Sequence, residues 1–132
     1  MELLVQQLSK QFGEGADRKT VLEGISFRMQ SGDFTAIVGS SGSGKSTILR
    51  LIAGLDQPSS GRILVDGQEV SGPGPDRGMV FQKYSLYPWL NAAENVAFGM
   101  RLQGMKATEI RERTAYFLAV SYTHLTLPTN RE

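Results

Sequence analysis

The chain has 132 residues, 40% of them hydrophobic, which is enough to bury the core of one globular domain. With 14 basic and 13 acidic residues the formal net charge is +1, so the charge balance gives no reason to expect nucleic acid or anionic lipid as the main partner. The absence of cysteine excludes disulfides and thiolate metal sites, and it is typical of a reducing compartment.

The first part of the chain predicts two strands, a third strand, a glycine-rich loop and a helix. Residues 3–8 and 21–27 have strand patterns and are separated by the polar loop GEGADRK. Residues 34–38, FTAIV, form a short apolar run that predicts a buried strand leading directly into GSSGSGKST. A helical pattern begins at Lys45 and ends near Gly54, with the apolar positions Ile48, Leu49, Ile52 and Leu55.

The later part predicts a hairpin, a strand and two helices. GRILVDGQEV reads as two strands joined by an Asp66-Gly67 turn. Residues 78–82, GMVFQ, predict another short strand after the turn-rich SGPGPDR. Residues 91–102 and 108–118 predict helices, the second with Ile110, Phe117 and Leu118 on one face.

The spacing Gly39-x4-Gly44-Lys45-Ser46 is that of a phosphate-binding loop. Small residues let the backbone N–H groups point at a β-phosphate, and the positive end of the following helix faces the same charge. We expect Lys45 to neutralise the β and γ oxygens as a catalytic group and the Ser46 hydroxyl to bind magnesium. The alternative, a flexible serine-glycine linker, is disfavoured by the flanking strand and helix. The predicted nucleotide-binding residues of the loop are Gly39, Ser40, Ser41, Gly42, Ser43, Gly44, Lys45, Ser46 and Thr47.

A second motif, which ends in a carboxylate, is a weaker indication of a functional site. Asp66 ends the apolar run ILVD and is a candidate magnesium ligand, but Asp66-Gly67 is also a strong turn signal, and we favour the turn. The 132 residues contain no Asn-Lys-x-Asp stretch, which counts against a GTPase.

The ordered motifs carry a family resemblance. VLEGISFRMQSGDFTAIVGSSGSGKSTILRLIAGLDQPSSGRILVDGQEV, followed by GPGPDRGMVFQ, resembles the first half of an ABC transporter ATPase, from the first strand to about Leu118. The resemblance implies an α/β fold with a P-loop NTPase core, an antiparallel β subdomain and the start of a helical subdomain. It implies ATP and Mg²⁺ as cofactors.

The resemblance also implies roles for two residues outside the loop. Phe12 matches the aromatic residue that stacks on adenine in this family, although an ordinary core or loop phenylalanine is the alternative. Gln82 matches the glutamine that opens the family's Q-loop, which contacts magnesium and the attacking water and links the site to the transmembrane subunit.

The stretches GPGPDRGMVFQ and LYPWLNAAENVAFGM are similar to those of ATPases from nitrate, sulfonate and taurine importers. The implied partners are transmembrane permease subunits, a second ATPase subunit and, indirectly, a periplasmic or surface solute-binding protein. The implied location is the cytoplasmic face of the cell membrane, reached through those subunits, because the sequence predicts neither a signal peptide nor a membrane span. An aromatic and aliphatic cluster follows the Q-loop, and we expect some of its members to dock a partner helix and others to pack internally. These residues are Tyr84, Leu86, Tyr87, Trp89 and Leu90.

The end of the sequence departs from the family. No LSGGQ-like signature, no apolar strand ending in Asp-Glu and no switch histidine occur, so we expect residues 1–119 to be a partial nucleotide-binding domain that is inactive alone. Residues 120–129, VSYTHLTLPT, resemble the translation of a transposase adapter used in DNA library preparation. We therefore expect residues 120–132 to be non-native and His124 to have no catalytic role. The alternatives to a transport ATPase are a non-hydrolysing ATP-binding regulator and a phosphate-loop kinase that uses Asp66.

Overall fold

A computed structural model describes residues 1–122, and the chain divides into two compact units. The first unit is Met1–Val80 and the second begins at Phe81.

The first unit contains an antiparallel four-stranded sheet with the strand order β2-β1-β3-β4. A short 3-10 turn, Gly15–Asp17, lies in the predicted polar loop between the first two strands. The strands are β1 (Glu2–Phe12), β2 (Lys19–Gln30), β3 (Ser60–Val65) and β4 (Gln68–Glu69).

The predicted hairpin at Asp66-Gly67 is confirmed, and the first two predicted strands also form a hairpin, which is longer than their hydrophobic pattern indicates. β1 and β2 pair from Glu2 opposite Gln30 to Phe12 opposite Lys19, so the pairing extends into polar residues on both sides. The β3–β4 turn has positive φ at both central residues, 49° at Asp66 and 78° at Gly67, as a type I′ hairpin turn requires.

The helix after the glycine-rich loop, α1 (Lys45–Ile52), packs its apolar side against the sheet. Ile48 is buried as predicted, but Leu49 and Leu55 are exposed and Leu51 is buried in their place. Leu51 lies three positions after Ile48 and therefore on the same face, whereas Leu49 is rotated about 100° away from Ile48. The core residues are Val5, Leu8, Leu22, Ile48, Leu51 and Ile63.

Two predicted strands are wrong. Residues 34–38 and 78–82 have no strand structure, and Phe34, Val38 and Val80 are almost fully exposed. An apolar run becomes a strand only when a neighbouring strand satisfies its backbone N–H and C=O groups. In the part of the chain that the structure describes, the sheet consists of the four antiparallel strands, and neither segment pairs with it.

The second unit contains the two predicted helices, α2 (Ala92–Leu102) and α3 (Ala107–Tyr122). α2 begins with a capping box: the Asn91 side chain accepts from Glu94 N at 2.9 Å, and the Glu94 carboxylate accepts from Asn91 N at 2.8 Å. On α3, Ile110 and Leu118 are partly buried on either side of the buried Thr114. Phe117, predicted on the same face, is exposed instead.

The helical pattern was expected to break after residue 118, but α3 continues to Tyr122. Residues 119–122, AVSY, include neither glycine nor proline, so nothing in their local chemistry ends the helix. Of the segment expected to be non-native, residues 120–122 are therefore helical. His124 and the other residues from 123 onward lie outside the described residues.

Candidate nucleotide-binding site

The glycine-rich loop connects to α1 through Gly44, which lies directly against β2. Gly44 has φ +87°, and a Cβ at this position would lie 2.7 Å from Leu22 Cδ2 and 3.1 Å from Val21 O. The left-handed backbone and the close approach both disfavour a larger residue at this position. The sheet thereby fixes the point from which the helix starts.

Lys45 is the first residue of α1, and its side chain folds back over the loop. Its ammonium group donates to Gly39 O at 2.8 Å, to Ser40 O, and to Ser43 Oγ at 3.2 Å. The loop itself is closed by a bond from Ser43 N to Ser40 O at 3.3 Å. The one positive side chain within residues 39–47 therefore lies where the loop curls, beside the start of the helix.

The first turn of α1 presents backbone N–H donors directly after the loop. The bond from Ile48 N to Gly44 O, 3.0 Å long, begins the helical ladder, so the N–H groups of residues 45–47 precede it. The Ser46 side chain is exposed in this turn and Thr47 is partly buried. Backbone donors, an ammonium group and the positive end of a helix together form an arrangement that suits an anionic phosphate.

Phe12 lies at the end of the β1–β2 hairpin that approaches the loop. Phe12 pairs with Lys19 of β2, and Val21, which contacts Gly44, lies two residues further along the same strand. Two residues along a strand correspond to roughly 7 Å. Its ring is 44% exposed and carries Lys10 Nζ 5.0 Å from its centroid. An exposed ring at this end of the hairpin is not a core residue, and its stacking on adenine remains a prediction.

Asp66 closes the hairpin turn onto the start of the chain. Its Oδ1 accepts from Glu2 N at 2.6 Å and lies 3.7 Å from the amino group of Met1, while its own N–H donates to Glu2 O at 2.9 Å. Among residues 1–122, no three or more His, Cys, Asp or Glu side chains form a group able to hold a metal ion. These contacts favour the turn interpretation of Asp66 over a magnesium ligand.

Arg77 was not singled out in the sequence, yet it organises the connector between the hairpin and the segment that leads to Gln82. Its guanidinium group donates to Gly72 O and to the Asp76 carboxylate, each at 2.9 Å. It is largely buried although its neighbours SGPGPD predict only an exposed turn. A charged side chain after a run of turn residues gives no local signal of burial.

Gln82 belongs to the second unit and is exposed. Residues 39–47 and Phe12 belong to the first unit, and the role of Gln82 at magnesium and water remains a prediction.

The aromatic loop, residues 84–90, follows Gln82 and is largely exposed. Tyr84, Leu86 and Trp89 project from the unit, whereas Tyr87 packs its ring against Phe98 of α2 at a centroid distance of 4.5 Å. Leu90 N donates to Tyr87 O at 3.1 Å, which closes a turn with Pro88 at its second position. The predicted division of the cluster into internal and external side chains agrees with this arrangement.

No helix within the described part of the chain is long and apolar enough to cross a membrane.

Comparison with known proteins identifies the class that this loop, sheet and helix define. The family model described as ABC transporter matches residues 22–127, and the chain belongs to that family. The predicted α/β fold of an ABC ATPase is confirmed by a dimeric ATP-binding cassette solved in a post-hydrolysis state with ADP and Pi. That structure has a TM-score of 0.75 and 29% identity, over 86% of this chain and 54% of the other.

Two relatives indicate the type of ABC transporter that the chain resembles. The nitrate import ATP-binding protein NrtD of Synechocystis sp. is 50% identical over 120 residues, which are 91% of this chain and 45% of NrtD. The taurine import ATP-binding protein TauB of Burkholderia pseudomallei is 50% identical over 104 residues, 79% of this chain and 40% of TauB. The chain thus spans less than half the length of these relatives.

Proposed function

We propose that the chain belongs to the ATP-binding subunit of an ABC importer of the nitrate, sulfonate and taurine type, which couples ATP hydrolysis to solute import. The observation that carries the proposal is the phosphate loop: Lys45 lies over the loop carbonyls, and the first turn of α1 offers its N–H groups beside it. The import function and the two example solutes are inferred from the relatives NrtD, a nitrate import ATP-binding protein, and TauB, a taurine import ATP-binding protein.

In this proposal the loop residues 39–47 hold the phosphates of ATP. Lys45 exchanges its bonds to Gly39 O and Ser40 O for bonds to the β- and γ-phosphates, which keeps its ammonium group hydrogen-bonded in both states. Ser46, exposed in the first turn of α1, is the proposed magnesium ligand from the loop, and Gln82 is the proposed second one. Phe12 stacks on the adenine ring. Bound magnesium would neutralise phosphate charge.

The remaining partners follow from the relatives and from the aromatic loop. The proposed subunit lies at the cytoplasmic face of the membrane, attached to transmembrane permease subunits through the exposed side chains of residues 84–90. It acts with a second ATPase subunit, as the dimeric cassette suggests, and only indirectly with a solute-binding protein. No nucleic acid is part of the proposal.

Titration of the purified chain with magnesium ATP and magnesium ADP, followed by calorimetry, tests nucleotide binding. Lys45→Ala removes an ammonium group whose hydrogen bonds contribute about 1.5–3 kcal/mol, so we expect the dissociation constant to rise roughly 10- to 150-fold. Lys106→Ala removes an exposed lysine in the second unit and is the control, which we expect to bind like the parent chain. Equal affinities for the parent chain and Lys45→Ala would overturn the proposed site.

A further inference from the structure

We propose that Asn95 is the positioning residue that holds the aromatic loop in the conformation in which it presents Trp89, Leu86 and Tyr84. That the presented surface docks a permease subunit rests on the proposed function. The conformational role of Asn95 rests on the hydrogen bonds alone.

Asn95 lies in the first turns of α2, and its side-chain amide faces the loop instead of the solvent. Its Oδ1 accepts from Tyr87 N at 2.8 Å, and its Nδ2 donates to Tyr87 O at 3.2 Å. The amide therefore engages both backbone groups of one residue, as a neighbouring strand would. The two hydrogens of Nδ2 are shared with Leu90 O and Asn91 O as well, each of which lies 3.0 Å from the nitrogen.

One of these four bonds stays at the start of α2, on Asn91 O, and the other three enclose the turn of residues 87–90 that carries Trp89. They reach Tyr87 at its first residue and Leu90 at its last, while Trp89, between them, is 74% exposed. The Tyr87 ring is fixed separately, between Phe98 at 4.5 Å and Trp89 at 5.3 Å. The backbone of the loop is thus anchored to α2, and the aromatic side chains extend from an ordered base.

The set of partners needs both an acceptor and a donor on one short side chain, and the amide of asparagine supplies both. Aspartate would keep the acceptor for Tyr87 N but would place an oxygen against the carbonyls of Tyr87, Leu90 and Asn91. Leucine has similar size and offers neither group. Ordering a loop before a partner arrives lowers the entropy lost on association, so the bonds would favour docking without contacting the partner.

Trp89 is the single tryptophan of the sequence, so its fluorescence reports on the loop without a label. We would measure the anisotropy decay of Trp89 and the near-ultraviolet circular dichroism of the purified chain. In Asn95→Leu and Asn95→Asp we expect more nanosecond motion of the indole and a loss of the Tyr87–Trp89 dichroic signal. Hydrogen exchange should be faster at Tyr87 N in Asn95→Leu and closer to the parent in Asn95→Asp, which keeps the acceptor.

Asn91→Ala is the matched control because it removes the cap of α2 and leaves the side-chain amide of Asn95 in place. We expect it to lower the melting temperature while the Trp89 anisotropy stays at the parent value. Far-ultraviolet circular dichroism confirms that each variant is folded, and Asn95→Asp serves if Asn95→Leu does not fold. Parent-like Trp89 order in a folded Asn95 variant would overturn the proposal.

The affinity for magnesium ATP, measured on the same samples, separates this inference from the proposed function. We expect Asn95 variants to bind nucleotide within about twofold of the parent chain, a difference of about 0.4 kcal/mol. Loop order that depends on Asn95 supports the inference even if Lys45→Ala shows the nucleotide site to be wrong. A loss of nucleotide affinity in Asn95→Asp with unchanged Trp89 order would contradict the positioning role.

Discussion

At the scale of single residues, Gly44 determines how the phosphate loop meets the sheet. Gly104 has a similar backbone, with φ +71°, but a Cβ there would meet nothing within 4 Å. Comparing alanine substitutions at these two glycines therefore separates the free-energy cost of the left-handed backbone from the cost of a steric clash.

We expect Gly44→Ala to destabilise the chain more than Gly104→Ala. In both variants the left-handed conformation of the new alanine lowers the unfolding free energy by about 1 kcal/mol or more, and Gly44→Ala adds the clash with Leu22 and Val21. Urea denaturation of both variants measures the difference, and nucleotide titration should show a loss of affinity in Gly44→Ala alone. Equal unfolding free energies would mean that the loop shifts away from β2 at little cost.

A pH-dependent ion pair joins Arg50, in the last turn of α1, to Asp56 in the segment that follows the helix. Arg50 Nε donates to Asp56 Oδ2 at 2.6 Å, and this hydrogen bond holds the pKa of the Asp56 carboxyl below its usual value. A carboxyl whose pKa is lowered by folding stabilises the fold above its usual pKa and loses that contribution as the pH falls through the lowered value. Both side chains are partly exposed, so the effect is small.

We therefore expect Asp56→Asn to lower the melting temperature at neutral pH and to differ less from the parent chain below about pH 4. Thermal unfolding across the pH range, followed by circular dichroism, measures this difference. A difference that is constant with pH would show that the carboxylate charge has no part in stability.

At the scale of elements, apolar composition and burial do not coincide in this chain. Val5 is 1% exposed in β1, whereas Val80 is 96% exposed in a segment that had been predicted as a strand. Residues 34–38 show the same discrepancy next to the phosphate loop, with Phe34 96% exposed.

We expect Val5→Ala to cost about 1.5–3 kcal/mol of unfolding free energy and Val80→Ala to stay within about 0.5 kcal/mol of the parent chain. The two substitutions remove the same atoms, so the comparison reports the difference in burial and in strand structure between the two positions. Urea denaturation monitored by circular dichroism provides the measurement. A cost for Val80→Ala comparable to that for Val5→Ala would show that residues 78–82 are packed in solution.

At the scale of the whole molecule, the proposed activity needs more than the phosphate loop. The 132 residues contain no LSGGQ-like signature and no apolar strand ending in Asp-Glu. We expect the purified chain to bind magnesium ATP and to release phosphate only at the background rate. Hydrolysis well above background that is abolished by Lys45→Ala would refute this expectation.

In a whole subunit we expect Trp89→Ala to weaken co-purification with the permease partner and to leave nucleotide affinity unchanged. A buried aromatic anchor commonly contributes about 2 kcal/mol or more, or roughly thirtyfold in association. Tyr116→Ala, an exposed aromatic residue on α3, is the control. Loss of ATP affinity with intact assembly would show that Trp89 is not a docking residue.

The features that could be predicted from the sequence depend on residues close together in the chain. The spacing from Gly39 to Ser46, the Asp66-Gly67 turn and the N-terminus of α2 at Asn91 are set by backbone conformation and local hydrogen bonds, so a short stretch contains their whole cause. The family could be predicted for the same reason, because its motifs are local and ordered.

Tertiary structure alone decided the contacts between distant segments and the burial of apolar runs. The contact of Gly44 with Leu22, and the burial of Arg77 against Gly72, require a folded chain to bring the groups together. The exposure of residues 34–38 has the same origin, because a strand forms only beside a partner strand, and the sequence of the segment itself does not specify that partner. Asn95 was missed because its hydrogen bonds join a helix to a loop, and no local pattern marks an asparagine that does so.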